Sequence, residues 1–232
     1  MAAPVLGLGT SRAPACRTRW LALVGLLGPV TYVFALILGG ALWPGYSHYS
    51  ESISTLTSSG APNQVVLVPL FALYNLCLLA LAIGLQGGTR QSRWGTAGPF
   101  FLAAAGISGL VLFFFPQGPW AAPLSGTGVQ HTIVAGIDAL CFLLALGFLW
   151  RRFLHDPAWA GLARFTLVML LLGIAFGGFG AASVTASYAG LAERLSIGVF
   201  LVWTEIIALG LFRAAAEGTR LATGAARVSS LS

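Results

Sequence analysis

Apolar and polar positions in this chain come in long blocks. Six predominantly apolar stretches, at 21–42, 65–85, 94–115, 130–150, 162–183 and 191–212, are separated by short polar passages. A helix needs about 20 apolar residues to cross the hydrocarbon core, and each stretch meets that length. None shows the period-two alternation of a strand, and a spanning helix satisfies its own backbone hydrogen bonds. Clusters of Arg, Pro, Gly and Ser end each stretch. The expectation is an all-α fold: a polytopic transmembrane bundle of six spanning helices over residues 21–213. The N-terminal tail, 1–20, is expected to be disordered, and 214–232 forms a C-terminal tail.

Composition supports the bilayer as solvent. Of 232 residues, 57% are apolar and only 8% charged, against about 25% charged in soluble domains. The formal charge of +6 rests on arginine alone, since lysine is absent. The arginines sit at the ends of apolar runs rather than in one patch, which fits membrane topology and excludes a nucleic-acid surface. With the N-terminus inside, eleven of the 12 fall on the cytoplasmic side and only Arg194 lies outside. The expected topology is therefore N-in and C-in, in the cytoplasmic (inner) membrane, with membrane lipid as the surrounding partner. The first apolar run is longer than a secretory h-region of about 7–15 residues and reads as a retained helix. Cys16, Cys77 and Cys141 have no metal-type spacing, and the last two lie within apolar runs.

Helix shape follows from small and cyclic residues. Pro29 and Pro69 each remove a backbone hydrogen bond inside a span. Gly173, Gly177 and Ala181 lie four apart on the fifth span. Such a small-residue face admits close approach of another helix, in this chain or in a second copy forming a homo-oligomer.

The polar residues with possible chemistry concentrate in and around one passage, 43–63. Ser47 is placed to cap a short helix running to about Thr57. Tyr49, Ile53 and Leu56 then share one face, and His48, Glu51 and Ser52 another. Asp138 lies a third of the way into the fourth span, where a carboxylate costs about 2.5–3.5 kcal/mol and needs a partner or a wet cavity. A hydrogen bond to Asn75, Ser108 or Thr204 would satisfy it. His131, two turns earlier, shares its face. The candidate pocket set is Tyr46, His48, Glu51, Ser54, His131, Asp138 and Glu205. If His48, Glu51, His131 and Asp138 converge, they form a base and orienter for Ser52 or Ser54, a metal site or a proton relay. His48, His131 and Asp138 are the catalytic candidates. Glu205, in the sixth span, reads as the ion-pair partner of Arg213, Arg164 or Arg152, or as a second proton carrier. Glu193 at the start of that span is favourable to the helix dipole and needs no further role.

No phosphate-binding loop, dinucleotide fingerprint, CxxC pair or HExxH is present, so neither cofactor nor metal is expected. Three functions fit the pattern: binding of a lipid, apolar ligand or partner at the outer face, an extracytoplasmic hydrolase, and a small proton-coupled transporter using Asp138 and Glu205. The reading favours the first and leans away from an enzyme.

Several short motifs, taken in order, resemble a six-helix membrane family known as domain of unknown function 998. They are Tyr46, Ile53-Ser54-x-Leu56, Gly60-Ala61-Pro62-Asn63, Phe115-Pro116, Gly128-x-x-His131 and Gly190-Leu191-Ala192-Glu193-Arg194-Leu195, with Trp203 beyond. The family often carries an acid after the Ile-Ser and Phe-Pro pairs, where this chain has Thr55 and Gln117. The resemblance implies topology and no chemistry.

Single cysteines test the threading. With the three native cysteines replaced by alanine, Cys at Ser125 is expected to react with a membrane-impermeant maleimide on intact cells, and Cys at Ser229 only after lysis. The reverse pattern would invert the topology.

Overall fold

The computed structural model describes residues 12–89, 95–118 and 126–229. Among the described residues there are six α-helices and no strand: α1 (Arg12–Ala41), α2 (Gln64–Gly88), α3 (Ala97–Val111), α4 (Gly126–Leu154), α5 (Ala160–Ala182) and α6 (Ala189–Ser229). A 3-10 turn, Leu112–Phe114, prolongs α3 to the 18 residues needed to span. All six are long and apolar enough to cross a bilayer, and the chain is a multi-pass membrane protein. Large side chains such as Phe100, Leu140 and Leu171 are exposed on the outside, as lipid contact requires.

Two helices outrun the expected spans. α1 begins at Arg12 rather than at 21, and α6 continues to Ser229 rather than stopping near 213. Alanine and arginine favour helix in both extensions, and Pro14 falls in the first turn of α1, where its missing N–H breaks no bond. The expected start of the third span at Trp94 lies outside the described residues. Pro29 and Pro69 lie inside α1 and α2.

Successive helices pack side by side, and α6 returns to α1, so the bundle closes into a ring in chain order. Gly173 of α5 is covered by Leu143 of α4 and Phe200 of α6, and Gly177 approaches Ser196 of α6. Those two glycines thus serve packing within the chain, while Ala181 is exposed. Arginines 17 and 19 of α1, 151 and 152 of α4, 164 of α5 and 213 of α6 mark one end of the ring. Arg194 stands at the other.

The arginine-rich half holds the main core, including Leu81, Leu102, Leu149, Phe153, Trp159, Trp203 and Leu211. Trp203 donates its indole N–H to Thr166 Oγ1 at 3.1 Å, tying α6 to α5. Arg152 is buried at this end. Its guanidinium donates to the carbonyls of Gly95, Thr89 (3.0 Å) and Gln86 (3.4 Å) and to Gln86 Oε1 (3.4 Å). One α4 side chain therefore satisfies the carbonyls on both flanks of the α2–α3 connection. Its charge-assisted bonds leave those carbonyls stranded if it is removed. Arg152→Met is expected to destabilise the protein by about 2–3 kcal/mol, seen as a lowered tryptophan-fluorescence melt in detergent. Arg152→Lys recovers part of the loss, because one ammonium cannot span the fork. An unchanged melt for Arg152→Met would show that the contacts contribute nothing.

Candidate functional site

The arginine-poor end is built by the passage between α1 and α2. Two tight turns bracket it. Pro44-Gly45 forms the first, with Tyr46 N–H donating to Trp43 O (3.1 Å) and Gly45 at φ +88°. Ser59-Gly60 forms the second, with Ala61 N–H on Ser58 O (3.0 Å) and Gly60 at φ +85°. Both glycines occupy the left-handed position that a type II turn demands. Between them, Ser47 does not start a helix to Thr57. It closes a single turn: Glu51 N–H donates to Ser47 O (2.9 Å), and Ser47 N–H donates to Glu51 Oε2 (3.0 Å). The helical element begins five residues later, as a 3-10 turn over Ile53–Thr57 whose cap is Ser52. Ile53 and Leu56 are buried against Ala35, Leu67 and Phe71, whereas Tyr49 is exposed and does not share their face.

The first two turns of α6 hold this passage in place. Gly190 and Leu191 have N–H groups with no partner inside their helix, and these donate to Ser50 O (3.3 Å) and Tyr49 O (2.9 Å). A Cβ on Gly190 would sit 2.3 Å from Glu51 O, so only glycine permits the approach. Arg194 Nη1 donates to Glu51 O (2.9 Å) and to Gly190 O (2.8 Å). Its Nη2 donates to Tyr46 Oη (2.6 Å) and His48 Nδ1 (3.1 Å). Tyr46 passes its own proton to Ser52 O (2.9 Å). Burial pushes the Tyr46 phenol up to about 12, outweighing the nearby guanidinium, so it stays a neutral donor. Ile53 N–H donates to Glu193 Oε2 at 2.6 Å.

The expected convergence therefore divides in two. His48 and Glu51 belong to the Arg194 cluster and do not face Asp138. His131, Asp138 and Ser54 line a separate cavity of about 180 Å³, together with Tyr32, Phe71, Phe142 and Glu193. Every helix except α5 contributes to its wall. His131 is buried on α4, with Nδ1 2.8 Å from Phe115 O and Nε2 3.0 Å from Ser54 Oγ. A carbonyl only accepts, so Nδ1 carries the proton and Nε2 accepts from the Ser54 hydroxyl. His131 is thus oriented by a backbone carbonyl and not by Asp138, which sits about 10 Å farther along α4. No hydrogen bond from Asn75, Ser108 or Thr204 reaches Asp138 among the described residues. Asn75 instead donates to Phe71 O at 3.0 Å.

Glu205 lies outside this cavity. Its Oε2 is buried without a partner among the described residues. Arg164 and Arg213 are exposed, and Arg152 is turned to the α2–α3 connection, so the expected ion pair is not formed. Sequence reasoning gave Glu193 only a helix-dipole role, left Arg194 out of the pocket set and did not consider Tyr32. Arg194 carried a signal: it is the one arginine on the wrong side of the charge asymmetry. The two departures from the family pattern meet here, since Ser52 Oγ lies 2.9 Å from Thr55 Oγ1 and 3.4 Å from Gln117 Oε1.

Among the described residues, no group of three or more His, Cys, Asp or Glu side chains is arranged to hold a metal ion. A family model described as a protein of unknown function, DUF998, matches residues 26–223. No curated protein and no solved structure matches the chain.

His48 makes the Arg194 cluster sensitive to acid. Partial burial, then the Arg194 charge, hold its pKa below the usual imidazole value. The folded state thus favours neutral His48, and its contribution is complete above about pH 6.5 and declines as pH falls through the lowered value. Amide exchange of residues 46–52 is expected to accelerate as pH falls below about 6.5, beyond its intrinsic pH dependence. In His48→Gln that extra acceleration is absent. Equal acceleration in both proteins would place the sensitivity elsewhere.

Proposed function

The chain belongs to the DUF998 family, and from its cavity we propose that this membrane protein binds a small amphipathic ligand with a hydrogen-bond-donating head. The carrying observation is one space of about 180 Å³ with aromatic walls and two carboxylates, Asp138 and Glu193. A cavity of about 150 Å³ accommodates benzene, so this one suits a ligand only slightly larger. A whole lipid is too big for it. Phe71, Phe142 and Phe200 receive the apolar body. Asp138 and Glu193 offer acceptors, so the head that fits is an amine or an alcohol. The positive-inside bias supports placing this end outside the cytoplasmic membrane, with the arginine-rich end within the cell. The proton-coupled reading lacks its second carrier, because Glu205 does not line the cavity.

The test is titration of the purified protein with n-hexylamine and n-hexanol, followed by calorimetry and by tryptophan fluorescence. Trp203 reports on the cavity because its ring lies 5.7 Å from that of Phe142, a wall residue. Saturable binding is expected in the wild type. Ala135→Phe, which fills the space from α4, is expected to abolish it. Asp138→Asn is expected to weaken the amine more than the alcohol. An identical, non-saturating response in wild type and Ala135→Phe would reflect detergent partitioning and overturn the reading.

A further inference from the structure

We infer that Ser54 and His131 form a nucleophile and base for acyl transfer from small esters held in the cavity. The inference deepens the binding reading and rests on the same cavity. The two side chains come from separate elements, 77 residues apart, and meet at 3.0 Å. The tautomer is already the one a general base requires: Nδ1–H donates to Phe115 O, and Nε2 faces the hydroxyl. This is the nucleophile, base and orienter sequence of a serine hydrolase, with a peptide carbonyl in the orienting position.

The other hydroxyls in this turn are used differently. Ser52 and Thr55 face each other, Thr57 donates to Ser54 O (3.3 Å), and Ser58 donates to Thr55 O (2.8 Å). Of these five, Ser54 alone meets a base. It is also held from both sides, since Ile53 N–H is fixed on Glu193 and Thr57 is fixed on Ser54 O. Both members of the pair line the cavity, so a carbonyl lodged there reaches Ser54 Oγ.

The chemistry balances without any bound group. Ser54 Oγ bonds to the ester carbonyl carbon as its proton passes to His131 Nε2. The tetrahedral adduct collapses by breaking the bond to the alcohol oxygen, which leaves with that proton. Water then attacks the acyl-serine, with His131 again taking and returning a proton, and a carboxylic acid departs. Gln64 uses one amide hydrogen on Thr57 O (3.2 Å), and its second is a neutral donor on the same cavity for the developing oxyanion. A carbonyl stabilises the imidazolium less than a carboxylate does, so turnover should be slow and the acyl-enzyme long-lived.

Diisopropyl fluorophosphate tests the pair directly in the full chain in nanodiscs. Ser54 Oγ bonds to phosphorus, fluoride leaves, and His131 accepts the proton. One adduct is expected by intact-mass spectrometry, mapped to Ser54 and absent in Ser54→Ala. His131→Gln, which can keep the tie to Ser54, is expected to slow labelling by about 100-fold or more. A wild type without an adduct at Ser54, or equal labelling rates in His131→Gln, would overturn the inference. Hexylamine titration of the same samples separates the two readings. Binding without an adduct removes acyl transfer and leaves the ligand site, whereas loss of both removes the cavity reading itself.

Discussion

Irregular backbone at the edge of a bilayer persists only where its peptide groups find partners, because lipid offers none. Here the partners come from the first two turns of α6. Two of its free N–H groups and the Arg194 guanidinium take up the carbonyls of Tyr49, Ser50 and Glu51, while Glu193 takes the N–H of Ile53. Without them the turns around Tyr46 and Gly60 would leave a line of unsatisfied groups. The position of Ile53 and Leu56 depends on this latch, and so does the space beneath them.

Those two side chains explain why a cavity exists at all. Leu56 is fully buried against Leu67 and packs where Gly39 leaves room on α1. The turn that carries them covers the arginine-poor end of the ring, while Phe142 and Trp203 fill it toward the other end. The cavity lies between these two packed layers. Its polar groups are acceptable there because they line a space that water or a guest can occupy, not lipid.

The helices were legible because apolar length is a local property. Segments such as 65–85 and 162–183 could hardly be anything else in a chain with so few charges, and the structure has helices at Gln64–Gly88 and Ala160–Ala182. The site was legible only in part. His131 and Asp138 share a helix, so spacing alone placed them on one face. The turn at Ser52 was not foreseeable from spacing, because the bond that shapes it comes from Glu193, 140 residues away. His48 likewise pairs with Arg194, a cation whose place at the wrong end of the charge pattern looked like an exception. Local rules place residues on faces; which faces meet is decided by tertiary contacts.

The connecting passage is fastened along two sides. Six side-chain or backbone bonds fasten it to α6, through Gly190, Leu191, Glu193 and Arg194. Three face the α3–α4 side among the described residues: Ser54 to His131, Ser52 to Gln117, and Ser59 to Gln117. Of these three, only the Ser54–His131 contact lies on the cavity wall. The same hydroxyl that meets a guest therefore also fastens the passage to α4.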